Sequence, residues 1–319
     1  MTTRKVSVVI CTYNGAKFLG EQLDSVLRQD YPLHEIIVQD DASTDETMGI
    51  VLRYASQHAR IKVFRNPQPL GINRNFFSAL RRVTGDYVAI CDQDDHWRPG
   101  KISMQMRTIG DKLLCGCHSR PFSTDGSFAY FDARRPNTHL FRMLFNNLPG
   151  HTLLFRRELL TDIMPEDNEL YHVSFYDVAF CLAAASRESI AFADEVLVDH
   201  RRHVTAATYT DFHRSLPSIG NALHILCWSL RHYQEARPKA CRLWHARLAF
   251  LLGIPVETDI HKEAIQLMEL ELRGGLLATL RLQRLFMKYH RHLFQTEGGG
   301  IVKRLRAMLY PLMQYYTYR

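Results

Sequence analysis

The sequence predicts an α/β protein built on a doubly wound, mainly parallel sheet, and three observations carry that expectation. Apolar, β-branched runs recur at short intervals, as in KVSVVIC (5–11), EIIVQDD (35–41) and DYVAIC (86–91). Segments with helical apolar spacing separate them, the alternation expected of α/β folds. Polar clusters (CTYN, QDDAST and CDQDD) stand at the ends of three of these runs, where open α/β sheets bind their ligands.

The elements follow in order. KVSVVIC is continuous and β-branched, the pattern of a strand covered on both faces. TYNGAKF turns the chain, and LGEQLDSVLRQ places Leu19, Leu23, Val26 and Leu27 at helical spacing. EIIVQDD is a second buried strand that ends in acid. Ser43 with Glu46 three residues on forms a capping box, predicting that a second helix starts within STDETMGIVLRYASQ. IKVFRN reads as a third strand, GINRNFFSALRRV as a third helix and DYVAICDQDD as a fourth strand. Farther on, LFRMLFNN reads as a helix, HTLLFRRELLTDI as a strand turning into a helix, and FYDVAFCLAAAS as an apolar helix with Asp177 near its start. SIAFADEVLVDHRRH reads as two short strands. Beyond about residue 210 strand signals give way to helices, with EGGG (297–300) as a hinge. The expected organisation is an α/β domain over 1–209 and a basic, mainly helical region over 210–319.

At 319 residues, 46% hydrophobic and 23% charged, the chain has the composition of a folded protein and not of a disordered one. Residues 1–209 carry 24 Lys and Arg against 25 Asp and Glu, whereas residues 210–319 carry 16 against 8. The positive excess is therefore confined to the last third and points to an anionic partner there. The seven cysteines are odd in number and scattered, most of them in apolar runs, which fits a reducing cytoplasm. Cys115 and Cys117 lack a second pair and read as buried strand residues, not as zinc ligands. No apolar run approaches the roughly 18 residues of a membrane span. The first strand begins too early for a signal peptide. A cytoplasmic protein is expected, free or peripheral on the inner face of the plasma membrane.

Asp92, Asp94 and Asp95 crowd three carboxylates into four positions. A solvated turn is the plain reading of such a cluster. A second acidic pair, Asp40 and Asp41, ends another strand of the same predicted sheet, and the coincidence favours a ligand site. Hard oxygen ligands on one short segment suit Mg²⁺ or Mn²⁺, which can bridge nucleotide phosphates. The sequence has no Walker motif and no G-x-G-x-x-G to hold phosphates instead.

Five ordered segments resemble the inverting family 2 glycosyltransferases, in particular the bacterial branch that builds O-antigen and capsule. They are VSVVICTYNGAKFLGEQLDSVLRQDYPLHEIIVQDDASTDET, NPQPLGINRNF, GDYVAICDQDDHWRPGKI, GHTLLFRRELL and FYDVAFCLAAAS, and the likeness covers roughly residues 4–208. It implies the GT-A fold and transfer of one sugar from a nucleotide diphosphate to a hydroxyl of a glycan or polyprenyl-diphosphate-linked acceptor. It implies that Thr12, Tyr13 and Asn14 face the nucleotide, that Asp40 and Asp41 belong to the base-binding loop, and that Arg74 and Asn75 line the nucleotide-sugar pocket. Asp92 and Asp94 match the metal-binding DXD motif. His203 resembles a histidine that approaches the metal or the diphosphate; a surface histidine in a basic loop is the other reading. Asp177 stands where the family has its catalytic base, although Tyr176 replaces the usual His or Glu before it; a helix N-cap is its plain alternative. Trp97 would touch the acceptor or anchor its loop, and His151, in the family's acceptor segment, would contact the acceptor.

Residues 276–319 hold eight Lys and Arg against one acid, interleaved with Leu, Phe, Met and Tyr. Such helices lie in an anionic membrane interface, pack on the α/β domain, or join a second copy. Two rival functions differ in class. A nucleotidyltransferase also holds metal and nucleotide on carboxylates, but its glycine-rich, lysine-bearing first loop is missing. Nucleic-acid binding would use the basic region, but no recognised motif accompanies it and the acidic rim would repel phosphates. No nucleic-acid partner is expected.

Overall fold

The computed structural model describes residues 4–123, 131–164, 167–203, 219–295 and 299–319. The first half alternates β1 (Val6–Thr12), α1 (Leu19–Leu27), β2 (Glu35–Asp40), α2 (Thr47–Gln57), β3 (Ile61–Arg65), α3 (Ile72–Leu80) and β4 (Tyr87–Cys91). These four strands are parallel and lie in the order β3-β2-β1-β4. Strand order therefore reverses at β1, and the crevice between the ends of β1 and β4 is the place where such sheets bind ligands.

Period-two burial explains the β-branched runs. Val9, Ile37, Val88 and Ile90 enter one core, and Val6, Val8, Ile10, Ile36 and Val38 enter the other on the opposite face. Each fully buried side chain of this size contributes about 1.5–3 kcal/mol, so polar substitutions are costly on either face.

The second half comprises β5 (His96–Trp97), α4 (Lys101–Thr108), β6 (Leu114–Ser123), α5 (Leu140–Met143), β7 (Leu154–Arg156), α6 (Leu160–Ile163), α7 (Leu170–Val173), α8 (Tyr176–Ser186) and β8 (Ile190–Arg202). The sheet continues β4-β7-β6-β8-β5, with β7 antiparallel to both its neighbours, β8 parallel to β6 and β5 antiparallel to β8. This mixed, eight-stranded arrangement carries the expected α/β class.

Three local expectations are corrected. Ser43 does not cap α2: its hydroxyl donates to Asp40, the cap position is Glu46, and no side chain caps the helix. LFRMLFNN forms only the short α5. SIAFADEVLVDHRRH is one long strand, because Asp194 and Glu195 bulge where the β6 pairing jumps from Ala193 to Val196. These two acids are the bulge itself, and Asp194 turns to His118 at 2.7 Å.

The remainder is helical: α9 (Ile219–Arg231), α10 (Tyr233–Gly253), α11 (Asp259–Arg273), α12 (Gly275–Lys288) and α13 (Ile301–Met313). Trp244, Phe250, Met268, Phe286 and Tyr315 bury in the same core as Phe77, Phe141 and Phe180. The buried faces of these helices therefore pack on the α/β half. Residues 297 and 298 of the expected hinge lie outside the described residues. No described helix is long and apolar enough to cross a membrane.

Candidate active site

Three loops meet beyond β1, β2 and β4. After β1, Thr12 Oγ1 donates to Asp40 Oδ1 at 3.0 Å. The side-chain amide of Gln93 clamps the Tyr13 backbone from both sides: Tyr13 N–H donates to its Oε1 at 2.9 Å, and its Nε2 donates to the Tyr13 carbonyl at 3.1 Å. The Tyr13 ring is left half exposed at the rim. Asn14 adopts a left-handed φ of 47°, a conformation asparagine tolerates better than most residues. Its N–H donates to Ser43 Oγ and its Oδ1 accepts from Thr44 N–H, each at 2.9 Å.

The two acids after β2 fasten loops. Asp40 Oδ2 accepts from Ser43 N–H at 2.9 Å and lies 3.4 Å from Arg65 Nε. Asp41 accepts from Leu70 N–H and Gly71 N–H at 2.8 Å and from Asn66 Nδ2 at 2.7 Å. Asn75 is buried, bonded to Asn66 and to the Gln39 carbonyl, and lines no open cleft. Arg74 is half-buried in the first turn of α3. Its neighbour Asn73, which the sequence did not single out, donates to the carbonyls of Tyr171 (2.7 Å) and Ser174 (2.9 Å) and accepts from Tyr176 N–H at 2.9 Å. That one side chain ties α3 to the start of α8.

The acids after β4 take different environments. Asp92 is part-exposed, with His151 Nδ1 at 3.5 Å from Oδ2. Asp94 Oδ2 meets His203 Nε2 at 3.0 Å. Burial, with the fields of Asp92 and Asp95, raises the Asp94 pKa above the usual carboxylate range. Asp95 is wholly buried; its Oδ1 accepts from Arg201 N–H at 3.0 Å and meets His200 Nδ1 at 2.9 Å. Burial alone would raise its pKa, but His151, His200 and the Arg201 amide outweigh burial and hold it low. The His151 and His200 rings stack at 4.5 Å. The Arg201 guanidinium bonds the Asp94 carbonyl (2.8 Å) and Glu21 (2.6 Å) and lies over the Phe18 ring. The end of β8 thus closes over the acidic loop.

The residues fit a divalent cation. Asp95 Oδ2 is buried without a hydrogen-bond partner among the described residues. One donor atom each from Asp95, His151 and His200 lie within 4.8 Å of one another. Carboxylates and imidazoles in one cluster suit Mn²⁺ or Mg²⁺ on the oxygen side and softer ions on the nitrogen side. The sequence expectation differs: it named Asp92, Asp94 and His203 as the metal ligands and His151 as an acceptor contact, whereas this cluster joins Asp95, His151 and His200. His200, contributed by β8, could not have been found by local spacing.

Asp177 is the second residue of α8, after the cap residue Phe175, so it is not the N-cap. Burial pushes its carboxyl up to about 6, with the Asn147 side chain and Val178 N–H pulling down and the Asp92 field pushing up. Tyr176 is buried against Phe76, with ring centroids 4.0 Å apart, and its hydroxyl leaves no room for a side chain at Gly150. Trp97 does not reach an acceptor: it is wholly buried, with Lys101 Nζ 4.0 Å over its ring, and anchors the loop from the core.

An acidic, cation-competent cleft at the switch point of a parallel sheet lies where open α/β proteins bind their ligands. The chain belongs to glycosyl transferase family 2, whose model matches residues 7–177, and the expected family and GT-A fold are correct. An uncharacterized protein of Mycobacterium tuberculosis is 26% identical over 232 residues, 68% of this chain and 65% of that one. The putative teichuronic acid biosynthesis glycosyltransferase TuaG of Bacillus subtilis is 38% identical over 109 residues, 34% of this chain and 42% of its own. The chain thus spans slightly under two thirds of the Mycobacterium relative's length. The crystal structure of S. aureus TarS 1–349 in complex with UDP superposes with a TM-score of 0.60 at 18% identity, over 98% of this chain and 87% of that one. At that identity the likeness concerns the fold.

Proposed function

We propose that the protein is an inverting glycosyltransferase that moves a single sugar from a nucleotide-diphosphate sugar to a hydroxyl of a glycan or polyprenyl-diphosphate-linked acceptor in bacterial surface-polysaccharide synthesis. The observation that carries this reading is Asp177, a buried carboxyl with its pKa raised to about 6 and within the field of Asp92. A carboxyl poised near neutrality beside an acidic cleft is suited to take a proton. The acceptor oxygen attacks the anomeric carbon as its proton passes to Asp177. The bond from that carbon to the diphosphate oxygen breaks, and the nucleotide diphosphate leaves from the opposite face. Mg²⁺ or Mn²⁺, held by Asp92 and Asp94 with His203, would offset charge on the departing diphosphate. Tyr13 and Asn14 at the rim would receive the nucleotide, since they stand on the loop beyond β1 at the sheet's switch point. His151, beside Asp92, would face the acceptor.

The test is a screen of nucleotide sugars with Mn²⁺ or Mg²⁺, following nucleotide diphosphate release. Release that depends on the ion, and on Asp177, supports the reading. Full turnover in excess chelator would count against the metal, and release of pyrophosphate from sugar phosphate and nucleoside triphosphate would favour a nucleotidyltransferase.

The C-terminal helices supply the proposed membrane contact. Leu276, Leu277 and Leu280 on α12 and Ile301, Val302 and Leu305 on α13 are exposed, with Ile301 at 76%. Arg281, Arg284, Lys303, Arg304 and Arg306 share these helices. Two such faces would repel each other in a symmetric dimer, whereas an anionic leaflet complements them. Sedimentation with phosphatidylglycerol vesicles but not with phosphatidylcholine vesicles, lost in Leu276→Ser/Leu277→Ser/Ile301→Ser, is expected. Self-association without vesicle binding would instead favour the dimer.

A further inference from the structure

We infer that the cavity beside Asp177 is the acceptor subsite and that it takes a sugar bearing an anionic oxygen group, a carboxylate or a phosphate. The inference rests on the glycosyltransferase reading and extends it to a substrate class.

The cavity measures about 240 Å³, is open on one side, and is lined by residues of β6, the 131–137 segment, α5 and the loop after it, and by Phe192 and Gln295. It is at the small end of ligand-sized pockets, which suits one sugar ring. Two wall residues reach the acidic cleft directly. The Asn147 side chain draws the pKa of the Asp177 carboxyl down, and Ser119 Oγ lies 2.8 Å from Nε2 of His151, the ring that faces Asp92. A ligand in the cavity therefore sits one side chain away from the proposed base.

The chemistry of the wall is unbalanced in favour of donors. Asn137 is 1% exposed; its Oδ1 accepts from His139 N–H at 3.0 Å, which fixes the amide orientation, and its Nδ2 has no partner among the described residues. A buried donor left unsatisfied is rare and costly. Arg142 donates to the neutral Gln295 Oε1 at 2.6 Å and has no carboxylate partner among the described residues. Burial lowers its guanidinium pKa to about 10, the response of a cation without a counter-charge. Asp132, the acid on this wall, is engaged by Arg134, with Nη2 to Oδ2 at 2.6 Å and Nε to Oδ1 at 2.8 Å. An amide donor and a guanidinium that have no partner and no carboxylate, respectively, among the described residues share one small cavity and call for acceptor oxygens with negative charge.

The experiment is calorimetric titration of the full chain, saturated with Mn²⁺ and whichever of UDP, GDP and dTDP it binds, with glucuronic acid, glucose 6-phosphate, glucose and inorganic phosphate. At least one anionic sugar is expected to bind tenfold or more tightly than glucose, and which one wins distinguishes carboxylate from phosphate. Arg142→Gln and Asn137→Leu should each bring the anionic sugar to the level of glucose, while Arg142→Lys keeps part of the preference. Equal binding of glucose overturns the inference. So does inorganic phosphate binding as tightly as glucose 6-phosphate, or an Arg142→Gln protein of unchanged Tm that keeps the preference. Nucleotide binding in the first step is read separately: binding of none of UDP, GDP and dTDP sinks the glycosyltransferase reading, whereas nucleotide binding with no anionic preference sinks this inference alone.

Discussion

The Asn147 side-chain amide, from the loop ahead of β7, pulls down the pKa of the Asp177 carboxyl that rides on α8. The nearby amide favours the charged form, against burial, which favours the protonated one. A base works only when deprotonated. Turnover should therefore be full above about pH 6 and fall as pH drops through that value. Asn147→Leu removes that stabilising dipole and should move this acid limb to higher pH, with nucleotide-sugar affinity retained. An unmoved limb would mean that Asp177 does not govern it.

Asp177→Asn separates chemistry from binding. The amide keeps the shape and loses the proton acceptor, so turnover should drop about 10²- to 10⁴-fold. Titration calorimetry should still report nucleotide-sugar binding. Loss of binding in a folded variant would remove Asp177 from the base role.

Asp94→Ala should abolish metal-dependent nucleotide-sugar binding, because it deletes one of the proposed carboxylate ligands together with its contact to His203 Nε2, 3.0 Å away. His203→Ala leaves the carboxylates and should weaken Mn²⁺ affinity by about 10- to 100-fold. Manganese titration monitored by electron paramagnetic resonance reads both. Wild-type affinity in the His203 variant would assign that histidine to the loop alone.

What the sequence disclosed and what it hid divide along contact range. The buried strands were legible because burial on both faces leaves a continuous apolar run, as in Val6–Thr12 and Glu35–Asp40. The acidic ends of β2 and β4 were legible because carboxylates are conspicuous there. Contacts between distant positions were not. Asp95 with His200, Asp94 with Arg201, Asn73 with Tyr176 and Gln93 with Tyr13 each join remote segments, and no local spacing encodes them. Ser43 misled because the same hydroxyl that caps helices also bonds an aspartate three residues back. Trp97 misled because a residue beside an acidic motif can still point into the core.

Glu35, at the opposite end of the sheet from the cleft, bears on stability alone. Its buried carboxylate accepts from Ser7 Oγ, Thr84 N–H and Lys62 Nζ, each at 2.7 Å. Burial by itself would raise its pKa, but these partners outweigh it and hold the value at about 2, below the ordinary 4.5. The stabilisation is present above pH 4.5 and is lost as pH falls toward 2. Glu35→Gln should destabilise the neutral protein by about 1.5–3 kcal/mol, the range for hydrogen bonds to a charged group. Urea unfolding at pH 7 and pH 4 checks this, with a smaller gap expected at the lower pH.

Glu271 on α11 poses the reverse case. It is buried among the C-terminal helices, and its described hydrogen bond comes from Gln314 Nε2 at 2.7 Å. Burial pushes its carboxyl up to about 8, against the pull of Gln314 and the Arg237 field. Since the folded value exceeds the ordinary 4.5, the folded state binds the proton more tightly than the unfolded chain. Folding then takes up a proton between about pH 4.5 and 8, and stability declines as pH rises across that window. Glu271→Gln keeps the shape and removes the titration. Its Tm should match the wild type near pH 4.5 and exceed it by several degrees at pH 8.5, a gain on the order of 2–4 kcal/mol. A gap of equal size at both pH values would show that Glu271 is ionised throughout and that water or a neighbouring cation reaches the helical core at this point.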